Sequence, residues 1–221
     1  LTVKNALLAN VQYPLTVNTA YSSGNLYHAT TDNCTRMITT SVSCSLSFVN
    51  SVFANLPSPL YSGSPSVSGN YNGFFNAPQF GNNKFTNSSN PFKIVGLGAH
   101  YLATSDFRQK GTTSIGSGLL TDLKKRTTQP PLALAYPTML SGDTRLTPLV
   151  PRYVSGAPDL GYYYDALDYL VTWLYVTGGT LTVAKGTAVA HLPIKLTDSY
   201  GNPLWGEIGL ILGTDAMLDS Q

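Results

Sequence analysis

Short apolar segments of two or three positions recur along this chain, separated by polar residues that favour turns. In the first of them Leu1, Val3 and Leu7 alternate or cluster inward, and polar residues intervene between successive segments. The pattern then repeats. Leu1-Thr2-Val3-Lys4-Asn5-Ala6-Leu7-Leu8-Ala9-Asn10-Val11 matches Leu46-Ser47-Phe48-Val49-Asn50-Ser51-Val52-Phe53-Ala54-Asn55-Leu56 at a spacing of 45 residues, with Asn and apolar positions in register. A poorer third copy begins at Leu26 and divides the spacing into 25 and 20, the length of one solenoid turn. Stacked turns of this kind share one core. They predict a structural ladder in which Asn5, Thr30 and Asn50 stand in one column and satisfy the polar groups that sharp bends leave unpaired.

The pattern shifts at residues 57–93, which are rich in Pro, Ser, Gly, Asn and aromatics and read as an excursion from the stacked turns. Ile94 to Leu102 is a strand candidate. Ser114 to Thr127 reads as the one helix, with Leu119, Leu120 and Leu123 on one side and Asp122, Lys124, Lys125 and Arg126 on the other. Pro130-Pro131 ends it, and 128–160 reads as an extended segment wrapping the surface. Strands return in 161–221, where Thr180 to Val189 aligns with Gly209 to Leu218 at a spacing of 29. The resulting organisation is 1–113 as stacked turns with the excursion, 114–160 as helix and wrap, and 161–221 as resumed turns.

Charge changes the picture of the surface. Only 11% of residues are charged, against a usual ~25%, while 43% are hydrophobic, enough for a core. Ser, Thr, Asn, Gly and Tyr must therefore supply solubility, which suits an extracellular protein. A net charge of +2 with scattered Lys and Arg predicts neither a nucleic-acid partner nor an anionic membrane. No run approaches a transmembrane helix, so no membrane insertion is expected. The chain starts at Leu1 without a signal region and its last strand stops in mid-pattern, so it reads as a fragment of a larger protein. Cys34 and Cys44 have no zinc-ligand spacing; a disulfide and two buried thiols both remain open. The sequons at Asn33 and Asn87 would be used only in a eukaryotic secretory route.

Several segments resemble a known family. Leu46 to Leu56, Gly98-Ala99-His100-Tyr101-Leu102-Ala103 and Asp106-Phe107-Arg108-Gln109-Lys110-Gly111-Thr112 look like the closing coils of right-handed β-helix repeat proteins, the last being a degenerate "SPAIDAGT" element. Pro158-Asp159-Leu160-Gly161-Tyr162-Tyr163-Tyr164-Asp165-Ala166-Leu167-Asp168-Tyr169 resembles a "PDLGYHYDPLDY" segment of very large secreted proteins of environmental bacteria. The resemblance covers about two-thirds of the chain. It implies an all-β, right-handed parallel β-helix with export to the cell surface, and it transfers no catalytic residues.

Candidate chemistry is sparse. Enzymes built on parallel β-helices use carboxylates on neighbouring coils, yet the first 100 residues contain a single acidic residue, Asp32. No catalytic residue and no cofactor is predicted, and a lyase or hydrolase would need an active site elsewhere in the parent. Tyr61, Tyr71, Phe74, Phe75, Tyr162 and Tyr163 are the candidate ligand contacts, with packing as the competing role. Asp159, Asp165 and Asp168 form a weak candidate metal group, their alternative being turn carboxylates that cap backbone amides. His28, His100 and His191 have no ligand-like spacing and read as structural, and Lys124-Lys125-Arg126 reads as a solvated face at the helix C-terminus.

The expected function is a non-catalytic structural or adhesion segment, with carbohydrate binding as the alternative. Its expected partners are neighbouring coils of the same larger chain and a polysaccharide or cell-surface glycan. The competing fold is a β-sandwich, which pairs antiparallel strands. Stacked turns instead predict parallel pairing, with Leu1 under Leu46 and Leu181 under Leu210 at ~4.8 Å between adjacent coils.

Overall fold

The structure, a computed structural model, describes residues 1–58, 60–192, 194–197, 203–206 and 209–220. It is all-β with one short helix among the described residues. The elements run β1 (Thr2–Ala9), β2 (Leu15–Val17), β3 (Ser22–Asp32), β4 (Ile38–Thr40), β5 (Cys44–Val49), β6 (Val52–Ala54), β7 (Tyr61–Ser62), β8 (Ser66–Phe75), β9 (Asn82–Thr86), β10 (Phe92–Val95) and β11 (Gly98–Leu102). After α1 (Ser117–Leu123) come β12 (Arg126–Thr127), β13 (Leu132–Ala133), β14 (Thr138–Ser141), β15 (Thr144–Leu146), β16 (Tyr164–Asp165) and β17 (Tyr169–Val171). The last are β18 (Leu174–Thr177), β19 (Gly179–Val183), β20 (Val189–His191), β21 (Ile194–Thr197), β22 (Pro203–Gly206), β23 (Leu210–Leu212) and β24 (Ala216–Ser220).

Two compact units divide the chain. The first comprises Leu1–Lys93, His100–Thr128 and Arg152–Asp165. Its main sheet is parallel: β1 pairs with β3, β3 with β5 and β6, and these with β8, so that Val3 faces Leu26, Leu26 faces Phe48 and Phe48 faces Gly69. Those offsets are 23, 22 and 21 residues. A second parallel sheet, β2 with β4 and β4 with β7, keeps the same rhythm, with Leu15 opposite Ile38 and Ile38 opposite Tyr61. Inward side chains of both sheets meet in one core of Leu26, Ile38, Leu46, Phe48, Phe53 and Phe74. Phe53 and Phe74 are register partners and stack at 5.5 Å, with Phe80 edge-on to both.

The second unit comprises Ile94–Ala99, Gln129–Pro151 and Ala166–Gln221. Three parallel sheets form it: β13–β17–β20, β14–β18–β23 and β15–β19–β24. Leu146, Tyr169, Val171, Leu174, Val176 and Leu181 make its core. Among the described registers, antiparallel pairing is limited to β12 with β16 and β21 with β22, so the hairpin pairing a β-sandwich requires does not build these sheets.

Several sequence expectations are corrected by register. The 45-residue spacing spans two strands, since Gly24 lies between Leu1 and Leu46, and it divides as 23 and 22. The residue between Asn5 and Asn50 is therefore His28; Thr30 lies two positions further on, opposite Leu7 and Val52. Leu181 faces Leu218 and Leu210 faces Leu174, so the spacing of 29 was a match of composition.

Residues 57–93 are no excursion, because β8 lies inside the main sheet, where Gly73 lets the Phe107 ring pack within 3.0 Å of the missing Cβ position. The supposed wrap splits instead: 132–146 supplies the strands β13, β14 and β15, and Arg152–Asp165 belongs to the first unit. The helix is shorter than predicted, burying Leu119 and Leu123, and Arg126 and Thr127 are already strand. Cys34 and Cys44 are both free and buried.

Parallel stacking at this offset is directly testable. Ser23 and Ser45 are exposed register partners, and adjacent strands at ~4.8 Å lie within disulfide reach. A Ser23→Cys, Ser45→Cys pair is expected to oxidise to an intramolecular disulfide, found by non-reducing peptide mapping. The Ser23→Cys, Ser66→Cys pair, two strands apart, is expected to stay reduced.

Candidate functional site

The first unit is organised by residues in the left-handed backbone region. Asn5, His28, Asn50, Tyr71 and Asn83 have φ between 47° and 55° and follow one another in register across β1, β3, the β5–β6 junction, β8 and β9. Each turns its strand, and the inward set changes phase there: Leu26 and Ala29, three residues apart, both face the core on either side of His28. Asn tolerates this conformation better than other non-glycine residues because its short amide bonds locally. A second such column comprises Asn10, Asn33, Asn55 and Asn76. There Asn33 donates to Asn10 and Asn76 to Asn55 through their side-chain amides.

In the first column the Asn5 and Asn50 amides grip another part of the chain. Asn5 donates from Nδ2 to the Tyr163 carbonyl and accepts the Tyr163 N–H at Oδ1, at 2.8 and 2.7 Å. Asn50 does the same with Thr112, both at 2.8 Å. Each side chain thus reproduces the two bonds of a strand bridge. Thr30, in the row beside them, accepts the Tyr162 N–H. Gly161 passes so close that a Cβ would lie 2.7 Å from the Thr30 hydroxyl, and its φ of 82° also requires glycine.

His28 completes the clamp. Its Nδ1 lies 3.3 Å from the Gly161 carbonyl, which can only accept, so Nδ1 carries the proton and Nε2 accepts from Asn50 Nδ2 at 3.1 Å. Complete burial lowers its pKa to about 3, against a weaker raising effect from the Gly161 carbonyl. The ring packs edge-on to Tyr163, whose own hydroxyl is pushed up by burial and by nearby Asp159. His100 meets Asp32 at 2.9 Å. Burial raises the Asp32 carboxyl, but hydrogen bonds from His100 and Asn55, the His100 charge and the Asn33 amide outweigh it and hold it below its ordinary value.

The aromatic residues singled out in the sequence separate by burial. Phe74 and Tyr163 are each 2% exposed, so neither presents a face to a ligand; both serve packing. Tyr61 packs half-buried against the first core, and Tyr71 and Phe75 are half-buried. Tyr162 is half-buried beside Tyr164, ring to ring at 4.8 Å.

The three aspartates have separate partners. Asp159 accepts from the Gln109 amide and the Thr128 hydroxyl, and Asp165 pairs with Arg126 at 3.0 Å. Asp168, in the second unit and fully buried, accepts the amides of Leu149, Val150 and Ala188. Asp159 and Asp168 act as turn carboxylates, each bound where the backbone leaves an amide unpaired, whereas Asp165 is 89% exposed and pairs with a side chain.

Tyr162 lines a surface cleft of about 180 Å³ together with Lys4 and Asn5 of β1, Leu119, Asp122 and Leu123 of α1 and Arg126 of β12. Sequence reading singled out Tyr162 alone for binding, since Lys4 and Arg126 lie 122 positions apart and only folding joins them.

The bend column generates three predictions. Asn50→Ala removes a left-handed-tolerant residue and orphans both Thr112 backbone groups, so it is expected to cost about 2–4 kcal/mol in denaturant unfolding. Asn83→Ala, at an exposed bend, should cost about 1 kcal/mol. His28 remains neutral in the folded chain while the unfolded chain takes up its proton below the ordinary value of 6.5. Stability is therefore full above that pH and falls as pH drops toward 3, by up to about 1.4 kcal/mol per pH unit for one proton. In urea melts across that window, His28→Asn should flatten the pH dependence. No protein-family model matches the chain, and no curated protein or solved structure matches it, so its chemistry is read from this geometry.

Proposed function

We propose that the chain is a right-handed parallel β-helix serving as a non-catalytic structural and adhesion segment of an exported cell-surface protein. One observation carries the reading: parallel strands recur at offsets of 21 to 23 residues, with left-handed bend residues in register across them. A chain that returns beside itself at a constant offset winds as a coil, and right-handed crossovers are by far the commoner hand for parallel strands. The low charge supports exposure outside the cell, because hydroxyls and amides in place of ions make up the polar surface.

The reading is tested on the producing cell with an antibody to this segment and an in-frame deletion of it. Labelling of intact cells, and reduced attachment of the deletion strain to surfaces, are the expected results. Labelling only after permeabilisation would overturn it.

A further inference from the structure

We infer that His28 is the trigger of an acid-released latch: when its ring takes up a second proton, segments 107–112 and 158–163 let go of the main sheet of the first unit while the sheet itself stays folded. Such a latch is independent of the adhesion reading, since it acts within the first unit.

The two segments form one flap. Gly111 donates its N–H to the Pro158 carbonyl, Leu160 to the Phe107 carbonyl and Gln109 to the Asp159 carboxylate. The flap is attached to the sheet through the side chains of Asn5, His28, Thr30 and Asn50, and through the Gly161 N–H, which donates to the Asn50 carbonyl. Phe107 and Leu160 also pack with Val52 of the sheet.

The hydrogen-bond polarity of Asn50 ties this attachment to the state of the ring. Both Nδ2 hydrogens are in use, one toward the Thr112 carbonyl at 2.8 Å and the other toward His28 Nε2 at 3.1 Å, while Oδ1 accepts the Thr112 N–H at 2.8 Å. A proton on Nε2 sets donor against donor. Turning the amide over would offer its oxygen to the ring, but that oxygen would then face the Thr112 carbonyl, and the NH2 would face the Thr112 N–H. The charged ring is therefore accommodated only by losing both bonds of the Asn50–Thr112 bridge, and in the closed flap it would stand in a fully buried site.

The surroundings leave His28 as the acid-sensitive member. The other bend residues of its column, Asn5, Asn50, Tyr71 and Asn83, hold the same backbone conformation without titrating in acid. Tyr163, edge-on to the ring, stays neutral in acid, and Asp159 is bound by the Gln109 amide and the Thr128 hydroxyl. Arg108 and Lys110 of the flap reach the Leu102 carbonyl and the Phe85 ring. Lys4 of β1 and Asp122 of α1 are exposed, and Asp32 of β3 is engaged by His100 and Asn55. The core beneath the sheet contains no group that titrates in acid, so the sheet has no matching reason to open.

Burial keeps the closed-state ring neutral down to about 3, whereas a ring freed to solvent protonates below 6.5. Opening takes up a proton between those values. The opening constant therefore rises about tenfold for each pH unit below 6.5, levelling off near 3.

The test follows amide exchange of the full chain by NMR from about pH 7.5 to about pH 4.5, each rate being divided by the intrinsic rate at that pH. The Thr112, Gly161 and Tyr162 amides should lose about tenfold in protection per pH unit below 6.5, while the amides that pair β3 with β5 keep theirs. His28→Asn, which places the column's commonest bend residue there, should abolish the loss. An equal loss in the β3 and β5 amides would mean global unfolding and overturn the latch, as would constant protection of the three flap amides. Both of those outcomes are read on the unaltered chain, and thermal melts show whether His28→Asn keeps the fold. A loss that persists in folded His28→Asn would overturn His28 as the trigger and pass that role to the Asp159 or Asp32 carboxylate.

Discussion

The structure of the first unit depends on one constraint: at a fixed point in each successive strand the backbone must enter the left-handed region. The residues that do so at low cost are those whose short polar side chains can bond nearby backbone, and Asn is the best of them. Because the strands are parallel and offset by 21 to 23 residues, these residues fall in register. The bend sets where the inward pattern changes phase, and so which side chains reach the core. It also presents the Asn5 and Asn50 amides to the segments around Tyr163 and Thr112, which they bind.

Those amide bridges explain how a chain so poor in charge holds long-range segments. Asn5 and Asn50 each bind an N–H and a C=O of a distant residue, as a neighbouring strand would. A neutral bridge avoids the desolvation cost of a buried ion pair. It also demands close approach, which is why Gly111 and Gly161 stand at the contacts, where a Cβ would collide with Asn50 and with Thr30. His28 belongs to the same column but can be replaced in its role only by a group that is neutral and accepts at Nε2, since Asn50 donates to it. The first unit therefore has a titratable group at the centre of an otherwise uncharged clamp.

Much of the fold was legible because its strongest determinant is local. Asn5 and Asn50 could be read as structural, and strand over helix could be read for most of the chain, since bends and inward apolar residues recur at short range. The register was not legible. The spacing of 45 covers two strands, and the strand between them, β3, carries His28 in place of the bend Asn, so no Asn marks its position in the column. Residues 66–75 looked irregular because their Gly and Asn serve close packing and bends within a strand that belongs to the main sheet. The pairing of Leu181 with Leu218 was hidden by loops of unequal length between short strands.

By itself the sequence determined the class of structure and the composition of its polar residues: strands bent at Asn, a core of aliphatic and aromatic residues, and hydroxyls and amides far more numerous than charges. It also excluded an acidic cluster in the first 100 residues by composition alone. Only the tertiary structure decided which strands are neighbours, that Phe74 and Tyr163 are core, that Asp159 and Asp168 accept backbone amides while Asp165 pairs with Arg126, and that Lys4 and Arg126 line one cleft. The physical reason is range. Bend preference and burial tendency belong to a residue and its near neighbours, whereas a site made of positions more than a hundred residues apart exists only once hydrogen bonds such as Asn5 to Tyr163 have drawn them together.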